Sequence, residues 1–269
     1  MVEARREPGV VEWDAGAYHR ISAPQYAWGQ RVLARLELEG SETVADAGCG
    51  SGRLTTELLE RLPRGRVVAI DQSQNMLDEA RATLSRFGDR VTFVCADLQT
   101  LEVSKPVDVI FSTATLHWIL DHPRLFRHLF NALKPGGRLV AQCGGDRNIQ
   151  RLHDRAAVLM ASEPYAAAFA RWSEPWEFTD DTTTAAQLRG AGFVDVEAWL
   201  EPALTPFPDA ATFGDFITKV VLRNHLACLA SEADRVSFIA ALVDAASRDD
   251  PPFTLDYVRL NIQAKRPAG

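Results

Sequence analysis

Thr43-Val44-Ala45-Asp46-Ala47-Gly48-Cys49-Gly50-Ser51-Gly52 is the stretch on which the fold turns. A short, mostly apolar strand runs directly into three glycines at alternate positions. From Arg53 onward, leucines at 54, 58, 59 and 62 fall on one face of a helix that Pro63 stops. Glycine is needed where a chain turns tightly and where a ligand must come close to the backbone. A helix beginning just beyond offers N–H groups with no partner inside the helix. The spacing is G-x-G-x-G, which differs from the G-x-G-x-x-G that clamps a pyrophosphate. Asp71 ends the next strand about twenty residues on, where a carboxylate can accept from ribose hydroxyls. Together these features specify a nucleoside with a ribose and no pyrophosphate. A tight turn beside a core aspartate is the plainer alternative.

Outward from this turn the same pattern repeats. Segments 66–71, 91–95, 107–112 and 138–143 are nearly continuous apolar strands. Between them, Ser73 caps a helix carrying Met76, Leu77, Ala80 and Leu84, and Pro123 opens one that ends at Lys134-Pro135-Gly136-Gly137. Apolar strands alternating with helices predict a parallel sheet covered on both faces. Such sheets bind ligands beyond the carboxyl ends of their strands. After Gly145 the pattern changes. Residues 146–180 mix an alanine-rich helical stretch with Trp172, Trp176 and Phe178. A helix over 182–190, a strand over 193–200, helices over 209–228 and 232–247, and a strand over 253–262 follow. The expectation is an α/β fold with a doubly wound, mostly parallel sheet. Its domain comprises residues 41–145 and 182–269, with an N-terminal helical lid (1–40) and a helical cap insertion (146–181).

A chain of 269 residues, 46% hydrophobic, can bury a full core without disulfides or metals. A net charge of -7 supplies no basic face for nucleic acid. No run approaches the ~20 apolar residues that span a bilayer, and the first residues lack a signal-peptide core. Cys49, Cys95, Cys143 and Cys228 form no C-x-x-C pair, and no histidine–carboxylate cluster suits a metal. The expected setting is a reducing cytoplasm, with no membrane, metal or nucleic-acid partner, and a monomeric or homodimeric state.

The motifs V-A-D-A-G-C-G-S-G, V-V-A-I-D-Q-S, V-C-A-D-L and L-K-P-G-G-R-L, in that order from Thr43 to Cys143, resemble those of class I S-adenosylmethionine-dependent methyltransferases. The segment S-T-A-T-L-H-W-I-L-D-H is most similar to the trans-aconitate methyltransferase group. The enzymes that methylate malonyl-acyl-carrier-protein and juvenile hormone acid are also similar. The resemblance implies a Rossmann-like, seven-stranded fold and S-adenosylmethionine as cofactor. It implies that Asp46, Ala47, Gly48, Cys49 and Gly50 approach the methionine part, and that Asp71 holds the ribose hydroxyls. Gln72 and Met76 then flank ribose and adenine, with Asp97 and Leu98 at the adenine and Asp97 accepting from its exocyclic amine. Read as bare residues, Asp97 could equally cap a helix, and Met76 could be core. The resemblance also puts Tyr18, Gln25 and Trp28, in an element closing over the site, near the cofactor, and Tyr18 is counted among the expected acceptor-binding residues. Ordinary amphipathic burial explains Trp28 as well.

Ser112, Thr113 and Ala114 follow the fourth strand at the edge facing the methyl group, and in similar enzymes this segment lines both cofactor and acceptor. His117 is the candidate catalytic residue. It could bind a substrate carboxylate or act as a base near neutral pH. A histidine packed on Trp118 and satisfied by backbone fits the same sequence. Trp118, Arg147 and Trp172 complete the expected acceptor site, since arginine beside aromatics suits a planar carboxylate. The function expected is O-methylation of a small carboxylic acid. A hydroxyl or amine acceptor, or a non-catalytic cofactor-binding module, are the alternatives.

Overall fold

The computed structural model describes residues 23–103 and 105–269; Tyr18 and the start of the lid lie outside the described residues. The strands are β1 Thr43–Ala47, β2 Arg66–Asp71, β3 Val91–Cys95, β4 Val107–Thr113, β5 Leu133–Gly144, β6 Val194–Pro206 and β7 Thr254–Lys265. They form one sheet in the order β3-β2-β1-β4-β5-β7-β6. From β3 to β5 the neighbours are parallel, and β7 runs antiparallel to both β5 and β6. Reversal on either side of β1 makes the sheet doubly wound and puts a crevice beyond the carboxyl ends of β1 and β4. Strands β6 and β7 are 13 and 12 residues long, well past the expected 193–200 and 253–262. Their extension continues beyond the sheet's main body, where Pro202 to Pro206 pair with Val258 to Thr254.

The helices are α1 Ala23–Leu33, α2 Arg53–Arg61, α3 Gln74–Thr83, α4 His122–Ala132, α5 Gln150–Met160, α6 Asp181–Gly190, α7 Ala210–Phe216, α8 Arg223–Cys228 and α9 Glu232–Ala246. Their starts are chemically explicit. Ser73 accepts from Met76 N, Asp121 from Arg124 N, Asp180 from Thr183 N and Asp209 from Thr212 N. Each cap satisfies an N–H that the helix itself leaves open.

Helices α1, α2 and α3 cover one face of the sheet through Val32, Leu33, Leu58, Leu59, Leu77 and Ala80. Helices α4 and α6 cover the other through Leu125, Phe126, Leu129 and Leu188. A third apolar cluster stands apart from the sheet centre. It joins Leu152, Ala156, Tyr165 and Phe169 to Phe213, Phe216, Phe238 and Leu242. The helices after β6 therefore share a core with the 146–181 segment, although their sequence pattern groups them with the sheet domain. Within that segment the helix stops at Met160 and residues 161–171 are turns and bends, not continued helix. Among the described residues no helix is long and apolar enough to cross a membrane.

Candidate active site

The glycine turn is tied to the neighbouring strand by two bonds, from Gly48 N and Cys49 N to Ile70 O at 2.8 and 2.9 Å. Gly48 has φ +85°, and a Cβ there would sit 2.0 Å from Thr115 Oγ1, so this glycine lets the β4 loop close on the turn. Gly50 also has positive φ (+53°), but nothing lies within 4 Å of where its Cβ would be. The turn is thus packed at Gly48 and open at Gly50. Asp71 borders that opening. One carboxylate oxygen accepts from Gly50 N and the other from Ser73 N, both at 2.9 Å. An open backbone cradle beside a fixed carboxylate fits a ribose-bearing cofactor.

Asp46 is 2% exposed and accepts from Thr55 Oγ1 at 2.6 Å, fastening β1 to the first turn of α2. Burial lifts its carboxyl to about 7; the Thr55 bond opposes this and the Asp71 charge adds to it. Ser112 is fully buried and donates to Ala47 O at 2.6 Å, a strut between β4 and β1. Both residues hold the turn in shape through contacts inside the protein. Asp97 is exposed and caps the short turn Leu98–Thr100 by accepting from Gln99 N at 2.8 Å. Leu98 is packed in the core on the α4 side. Gln72 is exposed and Met76 is buried, while Ala96 N donates to Asp71 O and draws the β3 loop against the β2 loop.

Beyond β4 the chain turns through Ala114, whose φ of +54° is rare for a residue with a side chain. Ala114 N is held by Gln142 O at 2.8 Å, and Thr113 is half-buried. The turn delivers His117 into a packed position. Its Nδ1 accepts from Gly144 N at 3.3 Å, and its ring stacks on Phe178 and tilts against Trp118. Burial, with the charge of Arg259 and then that of His122 adding to it, holds the imidazole well below its usual range. With Nδ1 occupied as an acceptor, the proton sits on Nε2, leaving His117 a hydrogen-bond donor on that side. The packed, backbone-satisfied histidine is the arrangement found. Trp118 meets Trp176 edge-on at 5.6 Å. His122 bonds Leu116 O and Thr179 and serves the start of α4.

Trp28 is buried against Tyr257 and beneath the Arg259 guanidinium, which lies 4.6 Å from its ring centre. Gln25 is half-buried on the same helix, and its Oε1 is buried with no hydrogen-bond partner among the described residues. Arg147 is exposed in the turn before α5, in a left-handed conformation. Trp172 packs 4.3 Å from His225 in the cap and donates to Glu174. Thus the structure brings together the turn, Asp71 and the β4 loop, and separately His117, Trp118, Trp176 and Phe178. Sequence reasoning missed Arg259, His153 and His225. A charged residue set between Val258 and Leu260 in the final strand was the available signal for the first. Among the described residues no group of three or more His, Cys, Asp or Glu is placed to hold a metal.

The family model of a methyltransferase domain matches residues 44–137. The trans-aconitate 2-methyltransferase of Methylobacterium radiotolerans is 31% identical over 252 residues, covering 90% of this chain and 92% of that protein. The enzyme of the same name from Yersinia pseudotuberculosis is 30% identical over 269 residues, covering 94% and 98%. Among solved structures, phosphoethanolamine N-methyltransferase 2 of Haemonchus contortus, in complex with S-adenosyl-L-methionine, superposes with a TM-score of 0.60 at 18% identity. That match covers 94% of this chain and 56% of that one and speaks for the fold. With its doubly wound sheet, open glycine cradle and anchored Asp71, the chain belongs to the class I S-adenosylmethionine-dependent methyltransferases, in the trans-aconitate methyltransferase-like group, and is an enzyme of that class.

Proposed function

We propose that this enzyme methylates a carboxylate oxygen of a small organic acid. The observation that carries this reading is the state of His117. Its Nδ1 lone pair is engaged by Gly144 N–H and its ring is kept neutral, so the β4 loop offers a hydrogen-bond donor in place of a base. A hydroxyl or protonated amine must lose a proton to become a good nucleophile. A carboxylic acid has a pKa of about 4 and is already ionised at neutral pH. The relatives named above are, by name, methyltransferases of an acid.

The cofactor, when bound, supplies a methyl group made electrophilic by a sulfonium. Gly48, Gly50 and Asp71 would hold its ribose and methionine portions. Ala47, Cys49, Gln72, Met76, Asp97, Leu98, Ser112, Thr113 and Ala114 shape the walls around it, with Gln25 and Trp28 closing from α1. An ionised acceptor carboxylate would take that methyl directly, the sulfur leaving with the electron pair, so the chain's own residues would need to move no proton. Alignment is the main contribution of the protein, and proximity of this kind supplies ~7–11 kcal/mol. His117 Nε2–H and Trp118 position the acceptor under a cap formed by 146–181 together with the helices after β6; Arg147 and Trp172 line its approaches. In this reading the enzyme works in the cytoplasm, as a monomer or homodimer, on a small molecule and without nucleic acid.

A panel of acids, phenols and amines, followed by S-adenosylhomocysteine release, tests it. Turnover of acids is expected. Turnover confined to amines or thiols defeats the proposal, and cofactor binding without turnover of any acceptor points to a binding module.

A further inference from the structure

A file of aromatic rings runs from the end of β4 into the cap. His117 stacks on Phe178 at 5.6 Å, Phe178 stacks on Trp176 at 5.7 Å, and His153 lies parallel to Trp176 at 4.9 Å and 9°. His225 on α8 continues it, 5.8 Å from Trp176 and 4.3 Å from Trp172. Phe178, His153 and Trp172 each keep part of their surface uncovered.

The two ends of this file differ in chemistry. At the inner end is Arg259 on β7, opposite Gly144 in register and 4% exposed. Its charge is near enough to help keep His117 neutral. At the outer end, Nε2 of His153 and Nδ1 of His225 are buried with no hydrogen-bond partner among the described residues. Buried polar atoms are nearly always satisfied, so two such atoms on rings that both lie against Trp176 mark a place for a ligand group. Burial pushes His153 down to about 4 and His225 to about 3, so both rings are neutral at pH 7 and each can donate one bond and accept another. The arginines of α5 do not add charge here: Arg151 pairs with Asp249 and Asp256, and Arg155 with Asp249.

We propose, on the acid reading above, that the acceptor is a flat, largely apolar monocarboxylic acid with a hydroxyl or carbonyl at its far end. Its carboxylate meets Arg259 beside His117, its body lies along Phe178 and Trp176, and its distal group reaches His153 and His225. A tricarboxylate would set two further charges against apolar and neutral rings, and burying an unpaired carboxylate is strongly unfavourable.

The test uses the full chain with S-adenosylmethionine and three acceptors: 4-hydroxycinnamate, cinnamate and trans-aconitate. The expected kcat/KM for 4-hydroxycinnamate exceeds that for trans-aconitate by at least about tenfold, and that for cinnamate by a factor of about five to ten from the distal hydrogen bond. His225→Phe brings the two cinnamates to within about twofold of each other. Arg259→Met raises KM for both by about tenfold or more while S-adenosylhomocysteine affinity in calorimetry holds, and Arg259→Lys recovers part of the loss. Should Arg259→Met fail to fold on thermal melting, Arg259→Lys and the acceptor ratios of the parent enzyme decide. The inference falls if trans-aconitate is used as well as or better than 4-hydroxycinnamate, or if neither Arg259 variant alters KM. Preference for trans-aconitate would leave the acid reading standing, whereas turnover of amines alone would remove both.

Discussion

Two glycines of the same turn, Gly48 packed and Gly50 open, give the sharpest test of where the cofactor lies. At Gly48, alanine must adopt φ +85° and place a methyl 2.0 to 2.6 Å from three atoms of Thr115. A left-handed conformation costs an ordinary residue about 1–2 kcal/mol and overpacking about 1–3 kcal/mol, so Gly48→Ala should destabilise the fold by roughly 2–5 kcal/mol. At Gly50 the backbone cost is similar, but the methyl meets nothing within 4 Å. Gly50→Ala should therefore cost only about 1–2 kcal/mol, a fall in Tm of roughly 2–8 °C for a chain of this size. The space the methyl fills is the space assigned to the cofactor, and a misfit there should weaken binding by at least about tenfold. Thermal melting gives the first quantity and isothermal calorimetry with S-adenosylhomocysteine the second. The expected pattern is a crossover: Gly48→Ala loses mainly stability and Gly50→Ala mainly affinity. If Gly50→Ala binds the cofactor product as the parent does, the opening at Gly50 is not the cradle.

Asp71→Ala removes the acceptor of two loop amides and of the ribose hydroxyls, and cofactor affinity should fall by about a hundredfold or more, as expected for losing charged hydrogen bonds of about 1.5–3 kcal/mol each; unchanged affinity in calorimetry would refute the ribose assignment. Asp46 gives a pH signature. Its carboxyl is raised from 3.8 to about 7, so between those values the folded chain keeps a proton that the unfolded chain releases. Its contribution is therefore greatest below about pH 4 and declines as pH rises to 7. Asp46→Asn, which keeps an acceptor for Thr55, should gain stability relative to the parent across that window, by up to ~4 kcal/mol; a Tm difference that does not grow with pH contradicts the burial argument. His117→Gln should lower kcat by no more than about tenfold and leave no ionisation near 6.5 to lose from the pH–rate profile, whereas a loss of about 10²–10⁴ would identify His117 as a base.

The parts of this molecule legible in its sequence are those governed by neighbours along the chain. Strand β1, the turn, α2 and the acidic end of β2 each follow from local spacing, and the structure reproduces their order. What spacing does not encode is the direction in which a buried polar group points. Asp46 and Ser112 sit in the cofactor motif, yet they bond to Thr55 and to Ala47 O and brace the turn from within. The cap was harder still, because its core is made across long separations: Tyr165 and Phe169 pack on Phe238, from the other side of β6. No periodicity within 146–181 announces a partner so far along the chain. The same reason hides Arg259, which reads as one more residue of the final strand until β7 pairs with β5 and sets it opposite Gly144, the residue whose N–H holds His117. The donor half of the proposed site is thus drawn from nearby stretches of sequence, the glycine turn and the end of β2, while the proposed acceptor site is assembled from β4, β7 and two halves of the cap. Cofactor identity is accordingly the local property of this chain, and substrate identity the tertiary one.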